Sequence, residues 1–284
     1  MNAESVGYKA RAFELRNLVF FFLIVFGLRW LVDGLQIAGL VDIHGGAPGL
    51  LLQTLASWGP LIAAFVVTAL IGGKSAVKAF WRRFWNRNIT WRWLLAAVLI
   101  IPAVALGVNL LTRLTDGQNY PWFYSYDPLW TILTAFLTAF VGSGMVEEFG
   151  WRGFVLPRFQ ARWNALASSL ILGVLWALWH AGQWFVPDSH LYGRDPWLWG
   201  GGMLLLSIVM TWAFNNTRGS LLSAVLIHAM WNTGTFWHKV DWRFYAVLLA
   251  AVVGIVAVYG AKELVRRKTD FSKRVESGIW VIDH

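Results

Sequence analysis

A chain of 284 residues that is 57% hydrophobic and only 14% charged has too few polar side chains to cover a water-soluble globule of its size. This composition predicts an all-α, polytopic membrane protein with a single domain over residues 1–284. The absence of cysteine excludes disulfides, thiolate metal sites and cysteine nucleophiles. The net charge is +9, and the basic residues cluster between the apolar stretches. Membrane topology and contact with anionic lipid therefore explain these residues better than binding to nucleic acid does.

Apolar stretches long enough to cross a bilayer, about 17 to 25 residues each, predict eight transmembrane helices. They fall near residues 17–40, 49–71, 93–113, 128–149, 166–186, 198–214, 221–237 and 244–260. The first stretch contains Arg29 and Asp33, whose i,i+4 spacing allows them to pair. We expect this stretch to be retained as a span, because no convincing small-residue cleavage site follows it.

Basic residues in the connections predict the orientation, because short cytoplasmic loops carry the excess of Lys and Arg. With the N-terminus inside, the cytoplasmic group comprises Lys9, Arg11, Arg16, Lys74, Lys78, Arg82, Arg83, Arg87, Arg92, Arg152, Arg158, Arg162, Arg218, Lys262, Arg266, Arg267, Lys268, Lys273 and Arg274. The outer group is then limited to Arg113, Arg194, Lys239 and Arg243. We therefore predict cytoplasmic termini, a basic cytoplasmic tail over 261–284 and an amphipathic interface segment over 74–93.

Two adjacent glutamates, Glu147 and Glu148, end the fourth predicted span, and acidic groups at membrane depth are candidates for function. Glu148 and Arg152 are spaced i,i+4 in the orientation that favours a salt bridge, which leaves Glu147 without that partner. Neighbouring residues of a helix point about 100° apart, so the two acids face different surroundings. A clamped carboxylate serves structure, whereas an unclamped one in a cleft can act as a general base. A solvated helix end with a stray ion pair is the alternative.

A histidine, His180, lies in the fifth predicted span, about 20 Å from the start of that helix. Trp176 and Trp184 flank it at i−4 and i+4 and are candidates for lining a pocket. Packing is the alternative for the two tryptophans, and a hydrogen bond between helices is the alternative for the histidine.

The seventh predicted span carries His228 and Asn232 on one face. Fixed donors side by side are what an oxyanion hole requires, and hydrogen bonds between helices are the alternative. Three spans that carry Glu, His and His-x-x-x-Asn in otherwise apolar surroundings favour one common site. Ser143 and Asn109 lack such company and are interpreted as packing residues.

At these positions the chain resembles the CAAX protease and bacteriocin-processing (CPBP, or Abi) family of intramembrane endopeptidases. The segment 147–153 looks like the Glu-Glu-x-x-x-Arg motif of that family, in its frequent Gly-Trp-Arg-Gly setting. The segment 176–180 is similar to its Phe-x-x-x-His motif, with Trp in place of Phe, and 228–232 is similar to its His-x-x-x-Asn motif. The resemblance covers about residues 128–237, which we interpret as the catalytic core region.

The resemblance implies a membrane endopeptidase whose active site opens toward the cytoplasm, and we expect it to need no cofactor. In this reading Glu147, assisted by His180, deprotonates a water that attacks the scissile carbonyl. His228 and Asn232 then stabilise the oxyanion, and the ion pair of Glu148 holds the cavity in shape. The implied substrate is a hydrophobic, membrane-associated peptide, for example that of a prenylated CAAX protein.

Three alternatives stay open at this point. Glu147, His180 and His228 could supply three zinc ligands, although no unclamped carboxylate would then remain as base and there is no His-Glu-x-x-His helix. A non-enzymatic immunity or scaffold protein could bind a peptide or partner without cleaving it. A proton-coupled transporter could use Glu147 and His180 as a relay, but the sequence has no matching half-repeats.

Overall fold

The computed structural model describes residues 15–42, 46–84, 89–117, 128–187, 189–234 and 240–266. Over these ranges the chain is helical and contains no strand. The principal helices are α1 (Leu15–Ile37), α2 (Ala47–Ser57), α3 (Gly59–Arg82), α4 (Trp91–Asp116), α5 (Leu129–Gln160), α6 (Ala165–Trp179), α7 (Pro196–Asn216), α8 (Leu221–Thr233) and α9 (Trp242–Tyr259). A 3₁₀ turn, Ala181–Trp184, follows α6. The predicted all-α, polytopic membrane fold is confirmed.

Six helices within the described ranges are long and apolar enough to cross a membrane, namely α1, α3, α4, α5, α7 and α9. The other two predicted spans correspond to α6 and α8, which are apolar but have only 15 and 13 residues. The total of eight spans therefore stays a prediction. The predicted cytoplasmic termini and the tail beyond residue 266 lie outside the described residues.

The second predicted span, 49–71, has the wrong boundaries. The chain forms two helices here, because α2 ends at Ser57 and α3 starts with Pro60 in its first turn. Proline lacks an N–H and clashes with a preceding helical turn, so it begins α3 and cannot continue α2. Helix α3 extends to Arg82 with a break at Gly72 and Gly73, the second of which has φ 62°. The predicted interface segment from residue 74 begins directly after this break.

Glycines bring the helices around α5 into close contact. A Cβ atom added to Gly150 would lie 2.5 Å from Cβ of Pro60 on α3, which is too close for any side chain. A Cβ atom on Gly144 would lie 3.0 Å from the carbonyl oxygen of Val225 on α8. Small residues at such crossings let helix backbones approach within a membrane protein. The close approach of α8 brings its polar face to the glutamates of α5.

Candidate active site

Helix α5 departs from regular α geometry on both sides of the two glutamates. The segments Phe140–Met145 and Phe149–Val155 are π-helical, with Val146–Glu148 between them. Short π segments inside helices occur frequently at functional sites. Because a π turn is wider than an α turn, the regular angular step assumed from the sequence does not describe this part of α5. The glutamates also lie within the helix, since α5 continues to Gln160, whereas the sequence predicted them at its end.

Glu148 is fully buried and bound from two sides. Nη1 of Arg152 lies 3.0 Å from both carboxylate oxygens and donates to Oε1, so the predicted contact between these two residues is present. Nδ1 of His228 on α8 lies 2.8 Å from the same Oε1 and, facing a carboxylate, donates to it. The exposed fraction of Glu148 is 0%. Both hydrogen bonds end on Oε1, so this carboxylate joins α5 to α8 and is closed to solvent.

Glu147 is held less tightly and is more accessible than its neighbour. Its Oε2 accepts a 2.6 Å hydrogen bond from the indole Nε1 of Trp176 on α6. Its Oε1 lies 4.0 Å from Nε2 of His228, beyond direct hydrogen-bonding distance. The exposed fraction of Glu147 is 7%, against 0% for Glu148. One oxygen of Glu147 therefore remains available to a small molecule such as water.

Trp176 lies at the centre of this cluster. Besides donating to Glu147, its ring has the guanidinium carbon of Arg152 4.5 Å from its centroid, within the range of a cation–π contact. The ring also meets the imidazole of His228 edge to face at 5.3 Å between centroids. The side chain is 1% exposed. The sequence named Trp176 as a pocket-lining residue, and the structure adds a direct hydrogen bond to one of the two acids.

His180 lies at the C-terminal end of α6, so the expectation that it sits within a longer helix is wrong. Its Nδ1 is 2.9 Å from the carbonyl oxygen of Trp176. Since a carbonyl can only accept, Nδ1 carries the proton, and Nε2 is the acceptor in the neutral ring. Within the described chain, no hydrogen bond or ion pair joins His180 to Glu147. His228, rather than His180, is the imidazole beside the more accessible acid.

Asn232 lies one turn beyond His228 on α8 and is exposed. Its Nδ2 donates a 2.8 Å hydrogen bond to Oγ of Ser143, which in turn donates to the carbonyl oxygen of Ala139 at 2.9 Å. The sequence set Ser143 aside as a packing residue, and the structure adds its hydrogen bond to a candidate site residue. The available signal was its position four residues before Glu147, which would share a face with Glu147 on a regular α-helix.

Trp184, the second predicted pocket residue, lies apart from the glutamates. Its Nε1 donates to the carbonyl oxygen of Arg194 at 3.0 Å, and its ring meets Trp199 edge to face at 5.1 Å. Trp199 also packs on the ring of His180, with 4.9 Å between centroids. Trp184 therefore reaches the site through Trp199 and His180, and makes no polar contact with either acid in the described part of the chain.

The three side chains considered as zinc ligands do not form a metal site as they stand. Within the described ranges, no group of three His, Cys, Asp or Glu side chains has the arrangement that a metal ion requires. Glu147 Oε2 is bound to an indole N–H, and Nδ1 of His228 is bound to a carboxylate. The donor set therefore does not fit a tetrahedral zinc ion without rearrangement.

Comparisons with known proteins bear on the same stretch of chain. Residues 128–234, which hold the whole cluster, match the family described as Rce1-like, type II CAAX prenyl endopeptidase Rce1-like. A relative from Methanococcus maripaludis, named CAAX prenyl protease 2, is 26% identical over 188 residues. These residues cover 61% of this chain and 68% of the relative. The family match begins at α5, so α1 to α4 lie before it.

Proposed function

We infer that the chain is a membrane endopeptidase of the Rce1-like, CAAX-protease family that its motifs indicated, and we propose that Glu147 activates the water for hydrolysis. The substrate that we propose is a membrane-associated peptide of the prenylated CAAX type. The name of the relative and the description of the matched family support this substrate class. The site geometry supports the mechanism.

The observation that carries the mechanism is the unequal surroundings of the two acids. Glu148 accepts hydrogen bonds from Arg152 and from His228, and it is fully buried. Glu147 keeps Oε1 4.0 Å from Nε2 of His228. A water about 2.8 Å from each atom can contact both of them, because two such contacts span any separation up to about 5.6 Å. This arrangement supports Glu147 as the base and Glu148 as the residue that orients His228.

In the proposed reaction the Glu147 carboxylate takes a proton from this water as the water oxygen bonds to the scissile carbonyl carbon. The carbonyl oxygen becomes an oxyanion. Its proposed donors are the amide of Asn232 and Nε2 of His228, with the imidazole carrying a proton on both nitrogens because Nδ1 donates to Glu148. One N–H of Asn232 is used by Ser143, and its second N–H remains for the substrate. Collapse of the intermediate breaks the C–N bond, and the proton held by Glu147 passes to the leaving amine.

We assign His180 an assisting role in these proton transfers, through Nε2. Its Nδ1 proton is held by a backbone carbonyl, so the neutral ring presents Nε2 as an acceptor. Catalytic hydrogen bonds often tighten only when substrate is bound. A direct contact with the reacting groups is therefore expected in the substrate complex.

We propose that no metal takes part and that the site opens toward the cytoplasm. The misfit of the donor set to zinc supports the first statement, and the predicted charges of the loops support the second. Protein treated with a chelator and shown by elemental analysis to lack zinc should cleave at the untreated rate, and loss of cleavage that zinc restores would contradict this.

The cysteine-free chain allows a single cysteine at Ala161 to report orientation. Labelling by a membrane-impermeant maleimide from the outer side would contradict a cytoplasmic opening.

The experiment that tests the function uses purified protein in detergent. Farnesylated and unprenylated forms of the same CAAX peptide are incubated with it, and products are identified by mass. We expect removal of the C-terminal tripeptide from the farnesylated peptide. Cleavage of both forms at one rate would remove prenylation from the proposal. If the protein is folded and binds the farnesylated peptide but yields no cleavage product, the scaffold alternative is favoured.

A further inference from the structure

Helix α1 lies before the range that matches the family, yet it carries a buried pair of opposite charges. Arg29 and Asp33 are 2% and 1% exposed and bind each other through two hydrogen bonds, one of them 2.9 Å from Nε to Oδ2. The pairing predicted from their i,i+4 spacing is confirmed. These are the polar contacts of the two side chains within the described residues. Among the described residues, neither side chain forms an ion pair with a residue of another helix.

The pair is placed against the turn that follows His180. A Cβ atom added to Gly182 would overlap the side chain of Asp33, because it would lie 2.5 Å from Cβ and 2.8 Å from Cγ of that residue. Two indole N–H groups tie the same elements together. Nε1 of Trp179 donates to the carbonyl oxygen of Val25 at 3.2 Å, and Trp30 on α1 donates to the carbonyl oxygen of Leu178 at 3.2 Å.

These contacts surround His180 on both sides along the chain. Leu178 and Trp179 precede it, and Gly182 follows it by two residues. Helix α6 ends at this point and a 3₁₀ turn begins, with His180 at the junction between them. The side chain of Asp33, held by the guanidinium of Arg29, packs directly against Gly182 of this turn.

We propose that Arg29 and Asp33 are positioning residues that hold the His180 turn in its catalytic orientation. The consequence for cleavage rests on the proposed function, whereas the orientation of the imidazole does not. A buried ion pair is a weak source of stability, because apolar residues of similar volume replace it with little or no loss. A pair retained only for stability could therefore be exchanged without effect on the reaction. A positioning pair could not.

The test replaces both charges by apolar residues, Arg29→Met with Asp33→Leu. The unfolding midpoint should be no lower than that of the wild type. The value of kcat should fall by about 10²-fold, the effect of a small misplacement at a catalytic group, with KM unchanged. Wild-type kcat in the folded double variant overturns the proposal. An equal loss in the matched control, Arg243→Met with Asp116→Leu, overturns it as well, because that surface pair joins α4 to α9 instead.

A second measurement reads His180 directly and needs no activity. Protein labelled with ¹⁵N-histidine gives ring nitrogen signals, and the His180 signals are assigned by their loss in His180→Gln. The wild type should show one fixed tautomer with the proton on Nδ1, as the bond to the Trp176 carbonyl requires. The apolar double variant should show tautomer averaging. Where it fails to fold, Asp33→Asn takes its place. An unchanged His180 signal in the folded variant overturns the proposal, even if the wild type cleaves nothing.

Discussion

Replacing Glu148 by glutamine should destabilise the fold far more than the same change at Glu147. The change removes the negative charge that faces Arg152 at 3.0 Å and His228 at 2.8 Å, in a position with 0% exposure. Hydrogen bonds to charged groups contribute about 1.5–3 kcal/mol each, and breaking a buried ion pair costs about 3–5 kcal/mol. We expect the free energy of unfolding to fall by about 3–5 kcal/mol.

The assay is equilibrium unfolding in mixed micelles with increasing SDS, followed by far-UV circular dichroism. Glu147→Gln is the matched control, because its amide oxygen still accepts the 2.6 Å bond from Trp176. The control should lose less than about 1.5 kcal/mol. Equal losses for the two variants, or a loss below about 1 kcal/mol for Glu148→Gln, would refute the division of roles between the two acids.

The remaining predictions concern the surroundings of the two acids. Trp176→Phe removes the indole donor and should lower the free energy of unfolding by about 1.5–3 kcal/mol; no measurable loss in SDS unfolding would mean that this bond is not formed. Asn232→Ala should lower kcat by about 10²–10³-fold, and Ser143→Ala should lower it less, because the amide is loosened but present; a larger loss in the serine variant contradicts this order. Gly150→Ala should lower the free energy of unfolding by about 1–3 kcal/mol. Gly142→Ala is the control and should not lower it, because an added Cβ atom there would have nothing within 4 Å. A lower unfolding midpoint for the control than for Gly150→Ala would show that the crossing with α3 is looser than described.

Contacts that are local in sequence could be predicted, and contacts between helices could not. The pairing of Glu148 with Arg152 and of Arg29 with Asp33 follows from i,i+4 spacing alone. The bond from His228 to Glu148 joins residues 80 positions apart and depends on how α8 crosses α5. No periodicity encodes that crossing. The sequence therefore named both acids, Trp176 and His228, but not which imidazole lies beside which acid.

Departures from regular helices explain the other differences. The boundary at Trp58 depends on Pro60, which begins a helix within an apolar run that hydropathy alone merges. The π segments around the glutamates change the facing of side chains, and arguments from a 3.6-residue period do not anticipate them. Ser143 was not selected from the sequence because its hydrogen-bond partner, Asn232, lies on another helix.

The role of Glu147 is the central claim, and single-turnover cleavage by Glu147→Gln tests it most directly. The purified wild type and the purified variant are each mixed, in excess over the substrate, with a farnesylated CAAX peptide after both are shown to be folded. Product is measured by mass over time. Loss of a general base should lower the rate by at least about 10²–10⁴-fold. A folded variant that cleaves within about tenfold of the wild-type rate would contradict the account.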